Sequence, residues 1–87
     1  MGTKVFPVPT QGPLTFYFES TTKDLLNYSI VNDEGKVIFR DAQRLHRGLN
    51  NIPLDLSTLT DGVYFLEALS LNKRQKVSHR IVKIGIK

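Results

Sequence analysis

The chain is 87 residues long, with 40% hydrophobic residues, no cysteine, no tryptophan and a formal net charge of +4. That length suits one domain rather than two and leaves a small core, since a chain of this size buries about 60–65% of its unfolded surface. The composition excludes a disordered chain, and the missing cysteine excludes disulfides, thiolate zinc sites and a cysteine nucleophile together. No run approaches the roughly 20 apolar residues of a membrane helix, so no direct membrane span is expected. Nor does a basic start followed by a long apolar run mark a signal peptide.

Apolar residues recur at every second position almost throughout, which is the period of a strand. A short first strand covers Lys4 to Phe6 and is separated from the next by Gln11-Gly12-Pro13. In the second, Leu14, Phe16 and Phe18 alternate with Thr15, Tyr17 and Glu19. A polar connection from Ser20 to Asp24 leads to Leu26, Tyr28 and Ile30, with the alternation failing at Val31. Asn32-Asp33-Glu34-Gly35 predicts a tight hairpin, Gly35 taking the positive φ that such loops demand. Val37 and Phe39 open the following strand, Arg47-Gly48 punctuates, and Ile52, Leu54 and Leu56 mark the fifth. Ser57 to Thr60 has room for one helical turn and nothing longer.

After Asp61-Gly62, Tyr64, Leu66 and Ala68 form one face of a strand whose other face carries Val63, Phe65 and Leu69. Apolar residues on both faces predict a central strand covered on both sides, or one sheltered by a partner. A polar loop, Asn72 to Gln75, precedes a last strand marked by Val77, Ile81, Val82, Ile84 and Ile86. Seven short strands at this spacing predict an all-β chain, an immunoglobulin-like antiparallel β-sandwich.

The chemistry is sparse. His46 and His79 are not at metal-ligand spacing, so no metal is expected. There is no Gly-x-Ser-x-Gly elbow and no phosphate loop, and Asp33-Glu34 lie in a turn, where carboxylates bond backbone. No catalytic residue, cofactor or enzyme activity is predicted. From Leu71 onward six basic residues (Lys73, Arg74, Lys76, Arg80, Lys83, Lys87) stand without a carboxylate. Such a segment is either a solvated edge hairpin or a surface for an anionic partner. It contains no aromatic residue, and Phe16, Phe18, Phe39 and Tyr64 sit at strand positions where packing accounts for them. Nucleic acid is therefore not the expected partner, because single-strand binding pairs basic grooves with exposed stacking aromatics.

The most specific local signature is Leu59-Thr60-Asp61-Gly62-Val63-Tyr64. Gly-x-Tyr at a strand start is the pattern of a tyrosine corner: the ring fills the core and the hydroxyl bonds backbone upstream. It speaks for a sandwich and not for one function.

In order and spacing, the landmarks resemble one family, the type A C-terminal sorting domain of the type IX (Por) secretion system of Bacteroidetes. The resemblance runs from Lys4 to the end. It begins with Val5-Phe6-Pro7-Val8-Pro9-Thr10, similar to the family's Tyr/Phe-Pro-Asn-Pro-Thr, with Val8 in place of Asn and both Pro7 and Pro9 kept. It continues through Gly12, Asp33-Glu34-Gly35-Lys36-Val37, Leu45 and Gly48-Leu49-Asn50. Ile52-Pro53-Leu54-Asp55-Leu56-Ser57, Leu59, Gly62-Val63-Tyr64-Phe65-Leu66 and a basic closing strand, Lys76 to Lys87, complete it. Gly85 in the close is a mild departure.

The resemblance implies a sorting label. The chain, 1–87, would be a single domain and a fragment of a larger exported protein, covalently attached to an N-terminal cargo whose own signal lies at the far end. The cargo would pass through the periplasm and cross the outer membrane by the translocon. A sortase-like peptidase would then remove the label, leaving cargo at the cell surface, attached to anionic lipopolysaccharide, or secreted. On the residues, the expected docking element is the Tyr64 hairpin with the basic last strand: Gly62, Tyr64, Arg80 and Lys83, read through the strand edge. Pro7, Pro9, Gly35, Gly48 and Leu59 are expected to hold the fold. The competing reading is an immunoglobulin-like accessory or carbohydrate-binding module of a secreted enzyme.

Overall fold

The computed structural model describes residues 2–85. Seven strands follow one another: β1 (Thr3–Phe6), β2 (Pro13–Ser20), β3 (Asp24–Asn32), β4 (Val37–Leu45), β5 (Gly48–Asp55), β6 (Gly62–Ser70) and β7 (Lys76–Lys83). They form an antiparallel three-stranded sheet, β1-β2-β5, and an antiparallel four-stranded sheet, β4-β3-β6-β7. No helix occurs among the described residues, and Ser57 to Thr60 forms a turn closed by the Leu59 amide on the Leu56 carbonyl at 3.0 Å. The all-β sandwich expected from the alternation is the fold. In a constant-type immunoglobulin domain the fourth strand lies in the first sheet beside the fifth. Here β4 pairs with β3 instead, and the larger sheet is one strand wider than the smaller.

Alternation builds the core directly. Phe16 and Phe18 of β2, Leu26, Tyr28 and Ile30 of β3, Ile52 and Leu54 of β5, Tyr64 and Leu66 of β6, and Ile81 of β7 all point inward and are buried. Each such side chain contributes about 1.5–3 kcal/mol by leaving water. The Phe16 and Phe18 rings meet edge to face at 5.9 Å between centroids, a favoured aromatic geometry. Leu59 packs partly buried against the same cluster.

Two positions explain how the chain turns. The Asn32 side-chain carbonyl accepts the amides of Glu34 and Lys36, both at 2.9 Å, and Gly35 sits at φ +81°. An amide side chain completing a turn beside a left-handed glycine is how such a hairpin closes. The 7–13 segment joins β1 to β2 within the smaller sheet and on the way reaches across to β7 of the larger one. Buried Thr10 donates its amide to the Val82 carbonyl and accepts the Ile84 amide, both at 2.9 Å. Its hydroxyl donates to the Pro13 carbonyl at 2.6 Å and accepts the Gly12 amide at 3.0 Å. Pro7 and Pro9, each following a cis peptide bond, are exposed on this crossing.

Phe39 departs from expectation. Predicted to pack, it is 46% exposed, and Val37 and Ile38 are exposed beside it. The cause is topological: β4 is the outermost strand of the wider sheet, and the register between β3 and β4 shifts at Ile30/Val31. Its only buried residue is Leu45, at the end where it turns into β5. Period two identified the strand but not the missing layer opposite it.

Candidate docking surface

The expected docking residues lie where β5 hands over to β6 and along β7. The Tyr64 ring is buried and its hydroxyl donates to the Thr60 carbonyl at 2.6 Å, four residues upstream. This is the tyrosine corner. Gly62 opens β6, exposed, and stands opposite Lys83 in the β6–β7 register. β6 itself is central, between β3 and β7. Its outer residues Val63, Phe65 and Leu69 are half-buried, and in the register they stand opposite Val82, Arg80 and Lys76.

The closing strand divides its charges between two faces. Lys76 and Arg80 are exposed on the outside, as are Lys73 and Arg74 in the preceding turn. Lys83 shares its parity with Ile81 and turns inward, its side chain 8% exposed, with Nζ 3.2 Å from Asp61 Oδ1. Gly85 lies against the same carboxylate: a Cβ there would stand 3.1 Å from both Asp61 oxygens. The glycine in the closing segment thus leaves room for the ion pair. Ile86 and Lys87, which the sequence places at the end of this strand, lie outside the described residues. The carboxylate-free segment does have an acidic neighbour, because Glu67 of β6 stands opposite Ser78.

The edge of β7 is open only in part. Thr10 pairs with it in parallel at Lys83, taking the Val82 carbonyl and the Ile84 amide. At its middle, His79 Nε2 lies 2.7 Å from Thr3 Oγ1 of β1, and the imidazole meets the Phe16 ring at 5.9 Å. Burial lowers the His79 pKa below its ordinary 6.5. Away from these two contacts, the Lys76 and Arg80 side chains are exposed.

His46 does not join His79; its Nδ1 lies 3.0 Å from the Arg47 carbonyl. No group of three or more metal-binding side chains occurs among the described residues. Gly48, at φ +104°, begins β5 opposite Ser20, and the Gly35 turn lies between β3 and β4. Three structural polar residues carried weak sequence signals. Asn50 shares the inward parity of Ile52 and Leu54, and its buried amide donates to the carbonyls of Phe18, His46 and Gly48. Asp24 accepts the amides of Leu25 at 2.7 Å and Asn72 at 2.9 Å, pinning the β6–β7 turn to β3. Thr10 lies in an irregular segment, where periodicity has nothing to say.

A two-sheet antiparallel sandwich closed by a tyrosine corner, with its polar groups spent on turns and crossings, defines an immunoglobulin-like β-module. Residues 4–84 match the sequence model of the secretion system C-terminal sorting domain, and the chain belongs to that family, the sorting domains of type IX secretion. The match takes in all seven strands. No curated protein matches the chain.

Proposed function

We propose that this chain is a non-catalytic sorting label, carried behind a cargo protein, read by the outer-membrane translocon and removed by a sortase-like peptidase at the cell surface. The family match across the whole sandwich carries the reading, since a type IX sorting domain directs export to the surface or into the medium. The docking element is the Tyr64 corner with the outer face of β7. Tyr64 and Gly62 fix where β6 starts, Lys83 clamps Asp61 against that start, and Arg80 supplies the exposed charge. Affinity comes from main-chain pairing along Lys76 to Arg80 and selectivity from alternate side chains.

The test is a fusion of this chain behind a periplasmic reporter, in a host with the type IX system. Reporter at the surface, with the domain removed, is the expected result. Reporter held in the periplasm with its domain intact overturns the proposal. Deleting Arg80 to Lys87 from the fusion isolates the docking element, and unchanged export would refute that part alone.

A further inference from the structure

The side of the sandwich opposite β7 carries a surface that sorting does not explain. Between β4 and β5 lies a groove of about 400 Å³. Its floor is buried core, Tyr28, Ile30, Leu54 and Leu56, and its wall is the exposed pair Ile38 and Phe39. A second hollow of about 370 Å³ continues it past Leu59 to the Tyr64 corner. The rim is acidic. Asp41 and Asp55 line the first part, Asp33 and Asp61 the second, Asp61 also holding Lys83. No Lys or Arg lines either hollow among the described residues, in a chain of net charge +4.

The strand beside this groove is an edge. The Ala42 amide donates to the Asp41 carboxylate of its own strand at 2.8 Å, so it points away from β3. Antiparallel alternation then puts the main-chain groups of Arg40, Ala42 and Arg44 on the outer edge. A second copy meets like charges in three of the registers open to it. Two-fold antiparallel pairing keeps each residue on its own face, so each register centres on one residue. Centred on Arg40 it sets Arg40 against itself, and centred on Asp41 it opposes two carboxylates. Centred on Ala42 it sets Arg40 against Arg44. Like charges directly opposite are destabilising, a common protection of edge strands.

We propose that this side is a docking groove for an extended segment of another protein whose inward-facing residues, every second one, alternate between apolar side chains and Lys or Arg. The segment adds as a fifth strand on β4. On its inward face, apolar side chains cover Phe39, Ile38 and Leu54 and the cations between them reach Asp41 and Asp55, while uncharged residues stand beside Arg40 and Arg44. The groove meets the docking element only at the Tyr64 corner and does not include β7, and its test does not depend on secretion.

End-capped, fluorescein-labelled nonapeptides with Thr at every even position and Val alternating with Lys, or Val with Glu, at the odd ones match β4 in length and are titrated against the whole chain by anisotropy and amide NMR. The Lys–Val peptide is expected to bind at least about tenfold tighter, about 1.4 kcal/mol, and to weaken as salt screens the charges. Shifts should concentrate on Arg40, Ala42 and Arg44. Phe39→Ser and, separately, Asp41→Lys should each cut affinity by about tenfold with the thermal midpoint retained. Equal binding of the two peptides, or shifts on β7 instead, overturns the proposal. So does a dimer in sedimentation that protects the same amides, because the occupant is then a second copy.

Discussion

The two long sides of this sandwich are finished differently. On one, β1 and β7 are tied across the sheets by Thr3 to His79 and by Thr10 to Val82 and Ile84. On the other, β4 overhangs β5 with Phe39 and Ile38 in solvent. A polar crossing segment closes a side without enlarging the core, and an unmatched strand leaves a side open at the cost of exposed apolar surface. The closed side displays fixed charges on a supported strand. The open side displays a groove and an unpaired edge.

Paired substitutions sharpen the contrast most. Phe16→Ala, at a fully buried position, should cost about 3–5 kcal/mol. Phe39→Ala on the overhang should cost less than about 1 kcal/mol. Urea denaturation of both variants measures the gap, and equal losses would mean that β4 packs as tightly as β2. Thr10→Val keeps the shape but strands the buried Gly12 amide, an expected loss of about 1–3 kcal/mol. Amide exchange should then quicken at Ile84, whose partner is the Thr10 carbonyl. Tyr64→Phe removes the hydroxyl bond to Thr60 for about 0.5–1.5 kcal/mol, and calorimetry should show a correspondingly small fall in midpoint.

Much of this was legible in the sequence. Alternation located all seven strands, Asn32 to Gly35 gave the hairpin, and Gly62-Val63-Tyr64 gave the corner with its backbone partner upstream. Two residues resisted, for different reasons. Phe39 has the parity of a core residue, and only the strand order shows that no second layer lies across from it. Lys83 has the composition of a surface charge in a basic strand, yet its parity with Val77, His79 and Ile81 points inward. A buried ammonium needs a named partner, and Asp61 sits too far away in sequence to be paired with it by periodicity. The groove was invisible because its walls come from strands that do not pair with each other.

Acid should weaken the closed side in two smaller steps. Burial holds His79 below 6.5, so the unfolded chain binds that proton more readily. Its contribution is complete above about pH 6.5 and is lost as pH falls through the lower folded value. For Asp24, burial pushes the pKa up, but amides from Asn72, Leu25, Lys73 and Leu71 outweigh it and hold the carboxyl below 3.8. That contribution is present above 3.8 and is lost as pH falls through the folded value. Denaturation midpoints across acid pH should fall, less steeply for His79→Gln near pH 6 and less steeply for Asp24→Asn below pH 4.

The account rests on sorting information being displayed on the closed side. The direct measurement is the surface fraction of a reporter fused to the whole chain, compared with the same fusion carrying Lys76→Glu and Arg80→Glu. Both positions are exposed, so the domain should keep its thermal midpoint. The account predicts that the reversed-charge fusion accumulates in the periplasm while the Phe39→Ser fusion is still exported. Undiminished export of the reversed-charge fusion would contradict it.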